Sequence, residues 1–248
     1  MVSRMHLCKY ILVISFFFAL TGCKKSEDRR CFKSLGDITF ESRPLTPYSF
    51  VVLDDHIDLI LTDTIDNSIV VESGANLIGF IVTEVSNDTL FIRDDNKCSF
   101  LRDFRYKTKI HLNSMSLNKV LLYGSGNLSN AMPTNRNITV DADRANGNID
   151  LTLGCDSCSF IVNVGVTKID LSGTCANSYF YYFGHGDVDA SQLLSAKALI
   201  HWNSTGWLKV NATSWVRGVI ESSGNVYYSG NPTIADVGMT GTGELIPQ

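Results

Sequence analysis

In the second half of the chain, apolar and polar residues alternate in short runs, and each run follows a phrase that contains glycine. Clear runs begin at Ile149, Ile169, Val188 and Leu208. Alternation with a period of two is typical of a β-strand that buries one face. No stretch of this region has the period of about 3.6 residues that marks an amphipathic helix. The pattern therefore predicts β-strands separated by regular turns.

The runs recur with a period close to 20 residues. Their first apolar residues are Leu128, Ile149, Ile169, Val188, Leu208, Val226 and Leu245, so the successive differences are 21, 20, 19, 20, 18 and 19. Two positions earlier stands a glycine in every copy but one, where Thr167 takes its place. We call this position the glycine corner, and its glycines are Gly126, Gly147, Gly186, Gly206, Gly224 and Gly243. Glycine accepts a positive φ without steric cost, so we expect a tight turn of that kind at every corner.

A period near 20 with strand and turn content and no helix predicts a β-solenoid with one coil per repeat over residues 121–248. Stacked coils lie about 4.8 Å apart, and each finds its backbone hydrogen bonds in the next. An antiparallel sandwich or meander is the competing architecture. Its turns should fall about every 8 to 12 residues, without a registered repeat near 20. The spacing therefore favours the solenoid.

Residues 36–120 contain strand-like runs but no glycine corner. The runs are Ile38 to Phe40, Ser49 to Val52, Ile57 to Thr62, Ser68 to Glu72, Phe80 to Val85, Thr89 to Arg93 and Lys107 to Asn113. Asn87 and Asp88, between two of them, predict a hairpin turn. We expect this segment to be a β-sheet that starts or caps the solenoid and closes an otherwise open edge. No linker separates it from residues 121–248.

The first 22 residues have the features of an export signal. A basic start is followed by an apolar run from Tyr10 to Leu20, which is shorter than the about 20 residues of a membrane-spanning helix. Leu20-Thr21-Gly22-Cys23 resembles the lipobox of bacterial lipoproteins, so we expect Cys23 to carry the lipid anchor and residues 23–35 to form a tether. Lys24 stands where lipoproteins retained at the inner membrane of Gram-negative bacteria usually carry Asp. Placement at the outer membrane, facing the periplasm or the cell surface, is therefore predicted.

Seven cysteines become five once Cys8 is removed with the signal and Cys23 is lipidated. An exported compartment permits disulfides. Two pairings are predicted, Cys31 with Cys98, and Cys155 with Cys175, which stands one repeat later. Cys155 and Cys158 form a C-x-x-C motif, but zinc wants four protein ligands, or three and a water, and no histidine is near. The sequence therefore favours a structural disulfide over a metal or redox site, with one thiol left over.

Charge and motifs exclude several functional classes. The chain has 21 basic and 25 acidic residues and a formal charge of −4, with no basic face, so nucleic acid is not expected as a partner. No Gly-x-Ser-x-Gly elbow, phosphate loop or His-Glu-x-x-His motif occurs. His56 and His185 are interpreted as turn residues, because a general acid or base needs a positioned partner. We predict no catalytic residue, metal or cofactor.

The glycine corners resemble those of a known family, the putative auto-transporter adhesin head (GIN) domain family of bacterial lipoproteins. The resemblance covers roughly residues 36 to 248. It includes the segments Asp58-Leu59-Ile60-Leu61, Asp88-Thr89-Leu90-Phe91-Ile92 and Asn225-Val226-Tyr227-Tyr228-Ser229-Gly230-Asn231-Pro232. It implies a single-stranded right-handed β-helix that is similar in shape to pectin lyases but lacks their catalytic residues. It also implies a role in adhesion or cell-surface modulation. Thr167 departs from the corner pattern, so we expect a less regular coil there.

The residue after each apolar marker should point outward, which predicts a row formed by Asp150, Asp170, Asp189, Lys209 and Tyr227. Carboxylates about 5 Å apart repel by about 1 kcal/mol in water, which a cation could relieve. A solvated acidic ladder closed by Lys209 is the other interpretation.

Aromatic residues point to binding. Trp207 and Tyr227 should face outward, where rings stack on sugars or anchor a protein. Tyr228 and the run from Tyr179 to Phe183 are expected to include rings that stack in the core. We therefore predict a non-enzymatic envelope lipoprotein that contacts a glycan or a surface protein. The alternatives are an enzyme that acts on polysaccharide along the Asp row, and a periplasmic structural protein. The sequence gives no oligomeric state.

Overall fold

The structure is a computed structural model that describes residues 33–63, 68–96 and 106–248. It is all-β and forms a β-solenoid of about six turns, as the period predicts. The described helical structure is a single 3-10 turn at Ile78–Phe80. The seventeen described strands are β1 (Ile38–Pro44), β2 (Phe50–Leu53), β3 (Ile57–Thr62), β4 (Ser68–Gly74), β5 (Ile81–Ser86), β6 (Thr89–Asp94), β7 (Thr108–Asn113), β8 (Lys119–Gly124), β9 (Leu128–Asn130), β10 (Ile138–Ala145), β11 (Asn148–Gly165), β12 (Lys168–Tyr182), β13 (Val188–Trp202), β14 (Leu208–Ile220), β15 (Val226–Ser229), β16 (Ile234–Met239) and β17 (Leu245–Pro247).

Each coil contributes to two parallel stacks of strands, which we call face A and face B. Face A contains β7, β3, β9, the first halves of β11 to β14, then β15 and β17. Face B contains β6, β2, β8, β10, the second halves of β11 to β14, then β16. The four long strands bend between the faces, and the glycine corner joins the faces on the other side. The core lies between them.

The first coils do not follow the order of the sequence. Strands β2 and β3 lie between β6 and β7 on one side and β8 and β9 on the other, so Phe50 pairs with Lys119 across 69 positions. Antiparallel strands cover this end: β1 pairs with β4, β4 with β7, and β5 with β6. The β5–β6 hairpin turns at Asn87 and Asp88, whose φ angles are 49° and 61°. The predicted capping sheet and its hairpin are therefore confirmed.

The core is filled by inward residues that repeat one coil apart. The rings of Phe160 and Phe180 stack with centroids 6.1 Å apart, and those of Tyr182 and Trp202 lie 4.9 Å apart. Tyr182 and Trp202 are buried but keep hydrogen bonds: the Tyr182 hydroxyl donates to the Thr167 carbonyl (2.5 Å), and the Trp202 indole N–H donates to a backbone carbonyl (3.2 Å). Large rings are thus buried without an unpaired polar atom.

The glycine corners have a different cause from the one expected. None of the six corner glycines has a positive φ. Instead, a Cβ at Gly147 would lie 1.7 Å from the carbonyl oxygen of Gly126, and one at Gly224 would lie 1.9 Å from that of Gly206. Glycine is therefore required because the backbone of one coil approaches that of the next too closely for a side chain.

Side-chain oxygens beside the corner tie consecutive coils together. Asn127, Asp187 and Asn225 each follow a corner glycine, and each accepts the backbone N–H of the equivalent residue in the next coil at 2.9–3.0 Å. Thr167, which replaces the corner glycine, is buried, and its hydroxyl donates to the Ala145 carbonyl (3.0 Å). The pairing of β11 with β12 starts at this corner without a shift in register, whereas the pairing of β12 with β13 shifts between Asp170 and Ser172.

The corner contact predicts a steric penalty. Gly147→Ala forces an overlap with the Gly126 carbonyl and should lower the free energy of unfolding by about 1–3 kcal/mol, measured by urea denaturation. Gly79→Ala is the matched control, because a Cβ there meets no atom within 4 Å, and it should change stability by less than about 0.5 kcal/mol. Equal stability of the two variants would contradict the close-approach explanation.

A charged cluster joins the capping strands. Glu72 on β4 accepts from Lys109 Nζ (2.8 Å) and lies 3.0 Å from His111 Nε2, both on β7. Burial of the Glu72 carboxyl opposes its ionisation, but the hydrogen bonds from Lys109 and His111 outweigh it and lower the pKa of Glu72. Because the folded pKa is lowered, this stabilisation is present above the ordinary pKa and is lost as the pH falls through the lowered one.

The Glu72 cluster predicts a pH-dependent loss of stability. Glu72→Gln should lower the free energy of unfolding by about 1 kcal/mol at pH 7, and the difference should shrink as the pH falls through the lowered pKa of Glu72, because the native carboxyl then takes up a proton. Urea denaturation across this range measures it. Glu84→Gln on β5 is the control, because Glu84 is exposed, and it should have little effect at any pH. A Glu72→Gln deficit that stays constant with pH would contradict this assignment.

Candidate functional site

The predicted outward row lies on face A in register. Asp150 pairs with Asp170, Asp170 with Asp189, Asp189 with Lys209, and Lys209 with Tyr227. The spacing of one residue per coil follows from the parallel stack, which places side chains one period apart side by side. The structure therefore brings together the five residues that the sequence placed in this row.

The charges of the row are largely paired with one another. Lys168 Nζ lies 2.7 Å from Asp170, and Lys209 Nζ lies 3.8 Å from Asp189. The Asp189 carboxylate also accepts the backbone N–H and the hydroxyl of Ser191, at 3.0 and 2.6 Å. Burial opposes the ionisation of Asp189, but the bonds from Ser191, with Lys209 nearby, outweigh it and lower the pKa of this carboxyl. The row matches the predicted ladder closed by Lys209.

Trp207 lies at the glycine corner of the same face. Lys209 Nζ lies 4.6 Å from the centroid of its ring, a cation–π contact, and the Trp207 backbone N–H donates to the Asp187 carboxylate (2.9 Å). Trp207 and Tyr227 are both partly exposed. Lys209 therefore contacts both Asp189 and Trp207, and its ammonium group covers one face of the Trp207 ring.

The two histidines that the sequence assigned to turns lie at corners. His185 Nδ1 is 3.4 Å from the Thr205 hydroxyl of the next coil. His56 Nδ1 is 2.5 Å from the Ser125 hydroxyl, and burial, with the charge of Lys107, lowers the pKa of His56. Both contacts join neighbouring coils, which fits the interpretation as turn residues.

A second surface, on face B, was missed in the sequence. Within the run from Tyr179 to Phe183, only Phe180 and Tyr182 face the core, while Tyr179, Tyr181 and Phe183 face outward. The signal was available, because Phe160 and Val162 are core positions and one period later stand Phe180 and Tyr182. Alternation then places the three odd-numbered rings outside.

Four outward rings form one cluster, which we call the aromatic patch: Tyr179, Tyr181, Phe183 and His201. The ring centroids of Tyr181 and Phe183 are 4.7 Å apart, and both rings meet the His201 ring edge-on, at 4.9 and 5.1 Å. Tyr179 lies 6.5 Å from Tyr181. Trp215 stands on the next coil of the same face. Phe183 is 36% exposed and the others are partly exposed, so ring surface is open to solvent.

Polar and charged groups border the aromatic patch. His201 Nε2 lies 2.9 Å from the Glu221 carboxylate, and Asn203 Nδ2 donates to the same carboxylate (3.4 Å). The Arg217 guanidinium lies 5.5 Å from the Trp215 ring centroid. Burial, with Tyr181 nearby, raises the pKa of the Tyr179 hydroxyl. The arrangement offers ring faces for stacking and a rim of donors and acceptors.

The cysteines are only partly within the described residues. Cys31 and Cys98 lie outside them, as does the predicted lipid anchor Cys23. The Sγ atoms of Cys155 and Cys175 are 3.7 Å apart, whereas a disulfide needs about 2.05 Å, so this pairing stays a prediction. The Cys155 and Cys158 thiols donate to the Cys175 sulfur and lower the pKa of Cys175. These three are the described residues that could together hold a metal ion.

Within residues 33–63, 68–96 and 106–248, no helix has the length and apolar character of a membrane span.

Solved structures of low sequence identity share the fold. A putative adhesin from Bacteroides fragilis is 20% identical with a TM-score of 0.77, over 86% of this chain and 97% of that one. A putative adhesin from Parabacteroides distasonis is 21% identical with a TM-score of 0.62, over 86% and 98%. A putative lipid binding protein from the same species is 22% identical with a TM-score of 0.64, over 85% and 97%. At these identities the likeness shows the fold alone.

The sequence comparisons identify the family. No curated protein matches the chain. One family profile, described as "Putative auto-transporter adhesin, head GIN domain", matches residues 47–232, which is most of the chain and includes the aromatic patch and the outward row of face A. The chain therefore belongs to this adhesin-head family, as the glycine corners and their flanking segments indicated.

Proposed function

We propose that this protein is a non-enzymatic head, anchored to the outer membrane by a lipid on Cys23, that binds carbohydrate through the aromatic patch of face B. The observation that carries the proposal is the cluster of Tyr179, Tyr181, Phe183 and His201, whose rings contact one another and remain partly exposed. Soluble proteins seldom leave so many large rings together on a surface without a partner. The family of putative adhesins supports a binding role.

The shape of the patch supports a carbohydrate ligand. Its rings stand on two consecutive coils and Arg217 of its rim on the third, so that it extends about 10 Å across the strands at about 4.8 Å per coil. The parallel strands make this surface flat, so it suits an extended chain that lies along it. Sugar rings present apolar faces and hydroxyl edges, which match the aromatic faces and the rim formed by Asn203, Arg217 and Glu221.

The Asp row of face A supports the non-enzymatic part of the proposal. A site that hydrolyses glycosidic bonds usually needs one carboxyl with a raised pKa and a second one poised beside it. The pKa of Asp189 is lowered instead, and Asp170 is paired with Lys168. These contacts support a solvated, charge-compensated face. Trp207 and Tyr227 on that face form a second candidate binding surface, which the glycan-binding experiment below compares with the aromatic patch.

A glycan microarray with acidic and neutral polysaccharides tests the proposal. The native protein should bind a subset of the glycans, and Tyr181→Ala should weaken binding by at least about tenfold, equivalent to about 1.4 kcal/mol, because the central ring of the patch is lost. Trp207→Ala is the matched aromatic control on face A, and it should bind as the native protein does. Circular dichroism checks that both variants keep the β fold.

Other outcomes of this experiment would point elsewhere. Loss of binding with Trp207→Ala but not with Tyr181→Ala would move the site to face A. Release of sugar fragments that Asp170→Asn abolishes would make the protein an enzyme. Binding to phospholipid vesicles without binding to any glycan would replace carbohydrate by lipid, the ligand class in the printed name of one structural neighbour.

Lipid anchoring is tested in cells. Metabolic labelling with a palmitate analogue should mark the protein, and Cys23→Ser should abolish the label, because the thiol that accepts the acyl chains is gone. Cys8→Ser, within the predicted signal, is the matched control and should keep the label. Label that persists in the Cys23→Ser variant would disprove the anchor.

Protease treatment of intact cells then locates the head. Degradation of the protein, with a periplasmic protein left intact, would agree with a surface-exposed binding head. Protection until the outer membrane is broken would place the head in the periplasm and leave only ligands of that compartment.

A further inference from the structure

Three sulfur atoms meet where the solenoid bends from face A to face B. We call Cys155, Cys158 and Cys175 the cysteine corner. Cys155 on β11 pairs in register with Cys175 on β12, and Cys158 lies three residues after Cys155 on the same bend. The three Sγ atoms lie within 4.8 Å of one another. Two consecutive coils therefore contribute to one cluster.

The cluster is largely hidden from solvent. Cys158 is 1% exposed, Cys175 is 5% exposed, and Cys155 is half-buried. Buried sulfur is ordinary for a single cysteine, which behaves as a small apolar residue. Three cysteines that converge from two coils are a different arrangement, because a disulfide between any two of them leaves the third as an unpaired thiol beside it.

The distances fit shared coordination of one ion. Thiolates bound to zinc at about 2.3 Å stand about 3.8 Å apart at a tetrahedral angle and about 4.0 Å apart in a trigonal plane. The observed separation of Cys155 and Cys175 is 3.7 Å, and all three pairs lie within 4.8 Å. Closing onto an ion thus changes each sulfur–sulfur separation by about an ångström or less, whereas a Cys155–Cys175 disulfide would require their separation to fall by about 1.7 Å.

The surroundings of the corner are polar on the side of the next coils. Ser178 on β12 pairs in register with Cys158, and Ser195 on β13 pairs in register with Cys175. Both serines are buried. The Ser195 hydroxyl donates to that of Ser178 (3.1 Å), which in turn donates to a backbone carbonyl (3.3 Å). The ion would therefore lie at the end of a buried hydrogen-bonded column and not in a purely apolar core.

We propose that the cysteine corner binds one thiophilic cation, Zn²⁺ or Cu⁺, through three thiolates. Soft sulfur ligands select these ions over Ca²⁺ or Mg²⁺, which prefer oxygen. Binding converts three thiols into three thiolates and releases three protons to solvent, with no change in oxidation state. Because the ligands come from β11 and β12, the ion joins two coils and stabilises the folded stack.

The full chain, purified in detergent with a reductant, provides the test. Titration with Zn²⁺, and anaerobically with Cu⁺, against a chromophoric chelator should show one bound ion per chain, and the bound ion should raise the melting temperature. Cys158→Ser and Cys155→Ser should lose both effects. Ser157→Ala is the control and should keep both, because Ser157 is exposed on the same bend and contributes no sulfur. The preferred ion is the one that competes better with the chelator.

A second measurement covers the case in which a variant fails to fold. In the native chain, the bound ion should slow alkylation of the three corner cysteines, located by peptide mass spectrometry, relative to the ion-free protein. Two results would overturn the proposal. One is ion binding that survives in a folded Cys158→Ser variant. The other is a Cys155–Cys175 or Cys155–Cys158 disulfide in protein whose thiols are blocked at cell lysis.

Discussion

The close approach of consecutive coils at the glycine corner constrains everything else in this molecule. Parallel strands must lie about 4.8 Å apart to exchange backbone hydrogen bonds, and that spacing must hold on both faces and through the turn between them. At the turn, the carbonyl oxygen of one coil occupies the space in which the next coil would carry a Cβ, as at Gly126 and Gly147. A corner with a larger side chain pushes the coils apart, and hydrogen bonds on both faces weaken with it. Thr167 is tolerated because its hydroxyl bonds the carbonyl of Ala145.

Because the spacing is fixed, the stack converts sequence distance into spatial rows. Residues about 20 apart become neighbours, whatever their chemistry. One row places three carboxylates and then Lys209 side by side, and two of these carboxylates, Asp170 and Asp189, are paired with lysines. Another places Tyr181 beside His201 and leaves rings open to solvent. The stacking of coils that forms the fold therefore also forms both surfaces. They differ because the charged side chains of the first pair with neighbouring groups, whereas the rings of the second keep surface open to solvent.

Much of the fold was predictable for the same reason. Strand bounds such as Ile57–Thr62 and the turn at Asn87 and Asp88 follow from local alternation and turn chemistry, and the row from Asp150 to Tyr227 follows from counting periods. The feature that the sequence did not predict is the spatial order of the first coils, which depends on contacts between residues far apart in the chain. The reversed order of the first coils joins β2 to β8 across 69 residues, with other strands between them, so no period marks it.

The sequence could not show why glycine stands at the corners, because a close contact between coils and a positive φ both favour glycine. The aromatic patch was missed differently. The run from Tyr179 to Phe183 is aromatic throughout, so its composition hides the alternation, and only the register with Phe160 shows which rings are inside.

The cysteine corner and the aromatic patch are connected through one strand. Cys175 stands at the bend of β12, and Tyr179 follows it four residues later, where face B begins. Tyr179 and Tyr181 are held by their pairing with β11 and β13. An ion that ties Cys175 to Cys155 and Cys158 would add bonds between β11 and β12 at the bend from which these tyrosines follow. A flat binding surface gains affinity mainly by being held rigid before its ligand arrives, because the ordering cost is then already met. The ion would therefore act on binding through the geometry of the patch, without contacting the ligand.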